Sequence, residues 1–240
     1  MARIDLTPGF VLHARAYRET SLLLEAFTRA QGRVGLVARG ARSARSRLRG
    51  ILRPFQPLLI SWTGRGELGT LTGAEGTAPA SLTSGRALTG GLYINELLVR
   101  LLPRSDPHPA LFDAYRAVLP GLASAVDPEP VLRLFEKQLL SELGYALVLD
   151  RDAEGRPLRP GAVYHYHLES GARPVEASRE GMLLVHGSSL RALAEGRLDD
   201  PLALAEAKRL NRAALAHYLG GRALRSRELL RRPRGKNREQ

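Results

Sequence analysis

The chain has 240 residues and a mass of 26.2 kDa, which allows one large domain or two small ones. It contains no cysteine, which excludes disulfides, thiolate metal sites and cysteine nucleophiles, and no apolar stretch approaches the ~20 residues that a membrane span needs. Its 36 basic and 24 acidic residues give a net charge of +12, which favours a polyanionic partner, either nucleic acid or an anionic membrane surface.

The basic excess lies at the two ends of the chain. Residues 1–80 carry a net charge of +7 and residues 222–240 carry +6, whereas the segment between them carries −1. Residues 33–53 contain seven arginines and no acid. Solvated faces usually mix charges of both signs, so this run favours a binding surface. Neither basic block comes with a basic amphipathic helix that has a bulky apolar face, which weakens the membrane alternative.

The first 75 residues have the pattern of short strands separated by turns. Alternation is clearest at Val34, Leu36 and Ala38. Without a long helix between the strands, the pattern predicts a small closed or partly open barrel. The basic segment 41–50 must then project outward, because burying unpaired arginines is costly. The five predicted strands are 9–16, 20–28, 32–40, 54–62 and 66–75.

From about residue 86 the apolar period becomes helical. Asp127 and Asp200 are expected N-caps, each followed by a proline at the first helical position, and Gly144 fits a C-terminal cap. Residues 150–187 predict a small β insertion or irregular lobe, with strands in AVYHYHL and GMLLVHG, and we expect the C-terminal tail to be disordered over 231–240. The predicted helices are 88–103, 109–126, 127–144, 188–196 and 200–221.

Motifs for catalysis and cofactors are weak. GRGELG at 64–69 satisfies a dinucleotide-binding glycine pattern, but no helix follows it, so a hairpin turn is the better interpretation. His165 and His167 would share one side of a strand as metal ligands can, yet only His186 offers a nearby third ligand. We therefore expect a packed or solvent-facing histidine pair, no metal and no cofactor. No catalytic residue is assigned, and no enzyme activity is expected.

The arginine-rich run is the candidate nucleic-acid site. Guanidinium forks suit phosphate oxygens. Most of the five aromatic residues in 1–80 are expected to pack the barrel, so we predict salt-sensitive, sequence-tolerant binding to the backbone rather than base readout. The candidate phosphate ligands are Arg39, Arg42, Arg45, Arg47, Arg49 and Arg53, and a secondary basic patch is expected at Arg225, Arg227, Arg231 and Arg232.

Several longer segments together resemble the RecO family of bacterial recombination and DNA-repair mediators, and its proteobacterial branch most. They are GFVLHARAYRETSLLLEAFTRAQGRVGLVARGAR, LRPFQPLLISWTGRGELGTLTGAE, GLYINELLVRLLPRSDPHPALFDAY, RLFEKQLLSELGYAL and YLGGRALRSRELL, and they span roughly residues 8–230. The resemblance implies an α+β chain, with an N-terminal OB-fold over 1–80 and a helical domain over 81–240 that carries the small β insertion.

The resemblance also implies a function. RecO proteins bind single- and double-stranded DNA, anneal strands coated by single-stranded DNA-binding protein (SSB) and, with RecR, promote loading of the RecA recombinase, so a cytoplasmic, nucleoid-associated protein is expected. Many of them carry a four-cysteine zinc module after the LGY segment. Here that segment has no cysteine. Zinc is therefore not implied, and the 150–187 lobe is expected to be held by packing alone.

The family also recognises the acidic, Phe-terminated tail of SSB through its helical domain. Such a peptide needs an apolar pocket beside a cation for its carboxylate. Arg133, flanked by Leu132, is the candidate cation and Arg116 a second one; the alternative is an arginine on the surface of an amphipathic helix. A different function also stays open, that of an RNA- or ribosome-binding assembly protein with an OB-fold.

Overall fold

A computed structural model describes residues 3–64, 67–82, 85–175 and 180–226. The chain forms two compact units. The first contains the described residues up to Ala125 together with residues 224–226, and the second contains the described residues between Val126 and Ala223. The first two helices thus lie in the same compact unit as the barrel.

The first unit is built on a closed five-stranded barrel. Its strands follow the order β1-β2-β3-β5-β4, and all neighbours are antiparallel except the parallel pair β3 and β5. This confirms the predicted barrel and fits the OB-fold. The strands are β1 (Arg3–Tyr17), β2 (Ser21–Thr28), β3 (Gly32–Ala38), β4 (Leu58–Thr63) and β5 (Leu68–Gly76).

Alternating side chains fill the barrel. Val34, Leu36 and Ala38 of β3 point into the core, as their spacing predicts, and meet Ile60 and Trp62 of β4. Ala41 and Leu52, from the connection between β3 and β4, are buried in the same cluster. The long basic connection is therefore fastened to the core near both of its ends.

β1 is longer than predicted because it pairs with two strands in succession. Its first half pairs with β4, with Thr7 opposite Ile60, and its second half pairs with β2. The register shifts between Ile4 and Thr7 and again between Val11 and His13, which lets one strand bend between two partners. Residues 3–8 are mostly exposed, so the apolar pattern gave no sign of this first half.

Two helices pack outside the barrel, α1 (Gly85–Leu101) and α2 (Pro109–Ser124). Phe10 and Phe27 contact Phe112 of α2 with ring centroids 5.7 and 5.4 Å apart. These two aromatics therefore pack the barrel from its outer side rather than filling its interior. Tyr115 donates to Asn95 Oδ1 at 2.8 Å, and Asn95 Nδ2 donates to the carbonyl oxygen of Leu12 at 2.9 Å.

The second unit packs three helices with a small sheet. The sheet has the order β7-β6-β8 and is antiparallel. It confirms the β insertion, although the predicted strands did not include β7. The elements are α3 (Glu129–Glu142), β6 (Val163–His167), β7 (Gly171–Pro174), β8 (Leu184–His186), α4 (Gly187–Glu195) and α5 (Pro201–Tyr218).

Most helix caps of this unit are those that the sequence predicts. Asp200 accepts a hydrogen bond from the Ala203 N–H at 2.8 Å, and Gly144 adopts φ +81° directly after the C-cap of α3. The start of α3 differs from the prediction. Pro128 is its N-cap, and Asp127 lies one residue earlier and accepts from the Glu129 N–H at 3.2 Å.

The lobe without cysteines is held by more than packing, which corrects the expectation. Asp152 is buried and accepts from the backbone N–H groups of Glu154 at 3.0 Å and Arg156 at 2.9 Å. The Nε of Arg156 also donates to Asp152, at 2.9 Å. Burial raises the pKa of Asp152, but these hydrogen bonds outweigh it, so that pKa lies below its usual value. One carboxylate thus orders the turn.

Gly32, at the start of β3, should be intolerant of a side chain. It has φ +65°, and a Cβ there would lie 1.9 Å from the carbonyl oxygen of Asp106. Gly40 has nearly the same φ, +66°, but open space around it. Both Gly→Ala changes should lose about 1–2 kcal/mol to backbone strain. Gly32→Ala should lose about 1–3 kcal/mol more, because of the clash. Chemical denaturation of both variants measures the difference, and equal stabilities would contradict the close approach.

Candidate nucleic-acid interface

Residues 39–53, which form most of the connection between β3 and β4, are here named the arginine loop. It is a chain of tight turns, in which Ser43 N donates to the Gly40 carbonyl and Ser46 N to the Ser43 carbonyl, each at 3.1 Å. With Ala41 and Leu52 buried in the barrel core, these bonds give the loop a defined path. A defined path matters because it holds several like charges close together.

All six predicted phosphate ligands are exposed on this loop. The side chains of four of them have no hydrogen bond or ion pair with any residue that the structure describes. An exposed, unpaired guanidinium can bind a phosphate without first giving up a protein partner. These four are Arg39, Arg45, Arg47 and Arg49.

Arg42 and Arg53 are exposed but engaged. Arg53 Nε donates to Gln56 Oε1 at 3.0 Å. Arg42 Nη1 donates to the carbonyl oxygens of Arg18 at 3.3 Å and Glu19 at 3.1 Å, and its backbone N–H donates to the Thr20 carbonyl at 2.8 Å. Arg42 therefore joins the arginine loop to the turn between β1 and β2.

A cavity of about 450 Å³, here named the barrel groove, opens beside the arginine loop. The end of β1, the β1–β2 turn, the end of β3 and the start of β5 line it. Leu68 is 45% exposed, and the Arg18 guanidinium lies 5.3 Å from the centre of the Tyr17 ring. The lining residues are Tyr17, Arg18, Thr20, Ser21, Val37, Arg39, Gly40, Leu68, Gly69 and Thr70.

Sequence reasoning missed Tyr17 and Leu68 as functional candidates. A usable signal existed for Tyr17, because it follows His13 and Arg15 at two-residue steps along β1. Both of those residues are exposed, so the same side of the strand carries Tyr17 outward. Leu68 had no such signal, since its exposure depends on how β5 pairs with β3.

Arg33 belongs to the basic run but not to the binding surface. Its Nη1 lies 2.7 Å from Glu25 Oε2, and its Nε donates to the Leu102 carbonyl at 2.9 Å. Arg104 also pairs with Glu25, and this raises the pKa of Arg104. The cluster fastens the segment after α1 to the outer face of the barrel.

Of the secondary basic patch, only Arg225 lies within the described residues; Arg227, Arg231 and Arg232 lie outside them, as does the 231–240 tail. Arg225 is exposed, and Leu224 before it is buried. Glu96 of α1 accepts from the N–H groups of Arg225 and Ser226 at 3.0 and 2.8 Å, and from Ser226 Oγ at 2.6 Å. Residues 224–226 are thus anchored on the first unit.

Arg133 is not the surface arginine that one alternative expected. It is 5% exposed, its Nη2 lies 2.9 Å from Glu136 Oε1, and Asn211 donates to the same carboxylate at 3.1 Å. Its Nε has no hydrogen-bond partner in the described structure. Leu132 is fully buried beside it, whereas Arg116 is exposed on α2 in the other unit. Their role in peptide binding stays a prediction.

The histidine pair lies as the sequence predicts, on one side of β6. The ring centres of His165 and His167 are 4.0 Å apart. Burial, His167 and Arg173 lower the pKa of His165, in that order. Across the described ranges, no three or more His, Asp or Glu side chains are grouped to hold a metal ion, and no helix there is long and apolar enough to cross a membrane.

Comparison of the sequence with models of known protein families identifies the family of this chain. The model described as Recombination protein O N terminal matches residues 1–80, and that described as Recombination protein O C terminal matches residues 82–228. The chain belongs to the RecO family. It is 51% identical over 230 residues to a protein of Nitrosococcus oceani named DNA repair protein RecO, covering 95% of this chain and 93% of that protein.

Other RecO proteins are similarly related. The protein of the same name from Methylococcus capsulatus is 48% identical over 231 residues, which cover 96% of this chain and 94% of the relative. That from Pseudomonas aeruginosa is 49% identical over 220 residues, which cover 92% of each chain. The match therefore runs through both the barrel and the helical region of this RecO-family chain.

The unpaired arginines of the loop should set the salt dependence of single-strand binding. Replacing Arg45, Arg47 and Arg49 together by Ala removes up to three phosphate contacts, so the slope of log K against log salt should flatten by about 2. Fluorescence anisotropy of a labelled oligonucleotide between low and moderate salt measures it.

Arg151 is a matched control for that triple variant, because it is exposed but pairs with Asp150 at 2.9 Å in the second unit. Arg151→Ala should leave the slope unchanged. An unchanged slope in the triple variant as well would show that the arginine loop does not carry the phosphate contacts.

The anchor on Glu96 should weaken in acid. Burial raises the pKa of Glu96, but hydrogen bonds from Ser226 and Arg225 and the charge of Arg100 outweigh it, so that pKa lies below 4.5. Its contribution to stability is complete above the unfolded pKa and is lost as the pH falls through the lower, folded pKa. Glu96→Gln should cost about 1–3 kcal/mol at neutral pH and much less near pH 3. Unfolding free energies measured at both pH values test this, and a pH-independent cost would contradict it.

Proposed function

We propose that this chain is a non-enzymatic DNA-binding mediator of recombinational repair, acting near the nucleoid. It anneals complementary strands, binds SSB and, with RecR, promotes RecA loading on single-stranded DNA. Membership of the RecO family and the name DNA repair protein RecO carried by its relatives support this proposal.

The observation that carries the proposal is the arginine loop. Four exposed guanidinium groups without a described partner project from one ordered connection of an OB-type barrel. A cluster of like charges of this kind is unfavourable alone and becomes favourable when polyanions bind. A nucleic-acid backbone supplies anions at a regular spacing, and its binding releases condensed counterions.

Annealing follows from the same electrostatics. Two complementary strands repel each other through their phosphates, and no base pair offsets that repulsion when the strands first meet. Guanidinium groups placed between the strands reduce that repulsion, while base pairing supplies the driving force. No nucleotide hydrolysis is needed, because the product duplex is more stable than the separate strands.

SSB recognition is proposed for the helical region. An acidic tail ending in Phe requires an apolar pocket and a cation for its terminal carboxylate. The unsatisfied Nε of Arg133, next to the buried Leu132, offers a donor to such a carboxylate. Arg116 is a separate candidate, exposed on α2 of the first unit. Since Arg133 also pairs with Glu136, peptide binding would compete with that ion pair.

A strand-annealing assay with SSB-coated DNA and no ATP tests the proposal. The wild-type chain should accelerate duplex formation, and the variant with Arg45, Arg47 and Arg49 replaced by Ala should be slower. SSB that lacks its C-terminal tail should also reduce the acceleration, because the tail is the docking peptide.

The annealing assay and a pull-down can also refute the proposal. No acceleration by the wild-type chain would contradict annealing, and metal-dependent loss of the DNA would indicate a nuclease. A pull-down that recovers ribosomal RNA in place of SSB and RecR would favour the assembly-protein alternative.

A further inference from the structure

We propose that the barrel groove binds unpaired bases of single-stranded DNA and that Tyr17 stacks on one of them. The inference rests on the proposed DNA-binding function and deepens it, because it assigns a base-contacting site beside the phosphate-contacting loop. It also replaces the expectation, drawn from composition, that this barrel contacts the backbone alone.

Tyr17 is the one aromatic residue of the barrel that is available to a ligand. Residues 1–80 contain five Phe, Tyr and Trp residues, and all five are described. Four of them are at most 6% exposed: Phe10, Phe27, Phe55 and Trp62. Tyr17 is partly exposed at the end of β1 and lines the groove. Base–aromatic stacking tolerates any sequence, since every base has a π face.

The lining of the groove is largely polar, with a few apolar groups among the polar ones. Val37 and Thr70 are paired across the parallel junction of β3 and β5, and both line the groove. Leu68, at the start of β5, adds a large side chain that is 45% exposed. Gly40, which has open space where a Cβ would lie, leaves room for a planar group to approach the backbone. The apolar groups can contact the face of a base, and the polar groups can form hydrogen bonds with its edges.

The charge of the groove fits a nucleic-acid strand. Arg18 and Arg39 line it, and no acid is among the lining residues that the structure describes. The guanidinium of Arg18 lies 5.3 Å from the Tyr17 ring centre, so it can support a stacked base while reaching a neighbouring phosphate. Arg39 connects the groove with the arginine loop, where the following phosphates of the same strand would bind.

Base insertion makes the groove selective for single strands. In a duplex, both faces of each base are stacked on neighbours and the pairing edge is occupied. An unpaired base can leave the strand and enter the groove at little cost. The arginine loop meets phosphates that both forms of DNA present, so it binds both, whereas the groove favours the single strand.

Arg42 is a positioning residue in this arrangement. Its guanidinium holds the carbonyl oxygens of Arg18 and Glu19, which are in the turn that follows Tyr17. It keeps that turn, and with it one wall of the groove, next to the arginine loop.

Three ligands separate stacking from phosphate binding: an oligothymidylate, an abasic strand of the same length and a duplex. Tyr17→Ala should weaken binding of the oligothymidylate about 5- to 150-fold, the range that corresponds to ~1–3 kcal/mol for one stacked base. Binding of the abasic strand and the duplex should change less than twofold, and the salt slope should stay the same. Tyr17→Phe should retain wild-type affinity, because the ring remains.

Two further variants test whether a loss of affinity is specific to the groove. His13 lies on the same strand and is exposed, but it does not line the groove, so His13→Ala should bind all three ligands normally. Leu68→Ser is a second groove variant. Because Leu68 is 45% exposed, this substitution should leave the fold intact. It should weaken binding of the oligothymidylate but not of the abasic strand or the duplex. Thermal unfolding confirms that each variant is folded.

The outcomes distinguish this inference from the proposed function. Suppose that the wild-type chain binds DNA with a steep salt dependence, but Tyr17→Ala and Leu68→Ser bind the oligothymidylate as tightly as the wild type. This result would refute the stacking site and leave the proposed DNA-binding function standing. Equal losses on the oligothymidylate and the abasic strand would also refute it. If the wild-type chain binds none of the three ligands, the proposed function fails as well.

Discussion

The parallel pairing of β3 with β5 is the contact on which the first unit depends. It joins Gly35 to Leu68 and Val37 to Thr70, and it closes a sheet that would otherwise have two open edges. The close approach needs glycine, because a Cβ on Gly35 would lie 2.8 Å from the Glu67 carbonyl oxygen and one on Gly69 would lie 2.7 Å from Trp62 Cδ1. Closure also places the end of β3, where the arginine loop begins, beside the start of β5. The barrel groove is the space that this junction leaves open. The closure of the barrel, the position of the arginine loop and the groove therefore all depend on this one pairing.

The arginines that give the chain its large positive charge have two different roles. Arg33 and Arg104 share Glu25, and Arg133 is buried against Glu136, so these guanidinium groups hold elements of the fold together. The buried pair of Arg133 and Glu136 is costly to break, because the remaining partner keeps its charge without a counterion. Arg45 and Arg47, in contrast, are exposed and have no partner within the described ranges. The net charge of +12 therefore overstates the binding surface, which consists of the arginines that the fold leaves unpaired.

Much of the fold could be predicted from the sequence because local patterns determine it. Alternation along β3 and the glycine that ends α3 were both read correctly. Features that depend on distant partners were not. The first half of β1 has no apolar pattern and forms because β4 pairs with it, and the burial of Arg133 depends on α5, where Asn211 donates to its carbonyl oxygen from 78 residues away. Among the site residues, the six arginines were visible as a charge run, whereas the exposure of Leu68 depends on the parallel junction.

We propose that a single DNA strand follows the outer surface of the barrel, with phosphates on the arginine loop and bases in the groove. Photo-cross-linking of the intact chain to a single strand that contains 5-iodouracil, followed by mass spectrometry of the cross-linked peptides, tests it most directly. Iodouracil reacts with aromatic rings in contact with the base. We expect a cross-link at Tyr17. An excess of unlabelled single strand should abolish it, and an excess of duplex of the same length should reduce it less. Cross-links confined to residues 126–223, with none on the barrel, would contradict it.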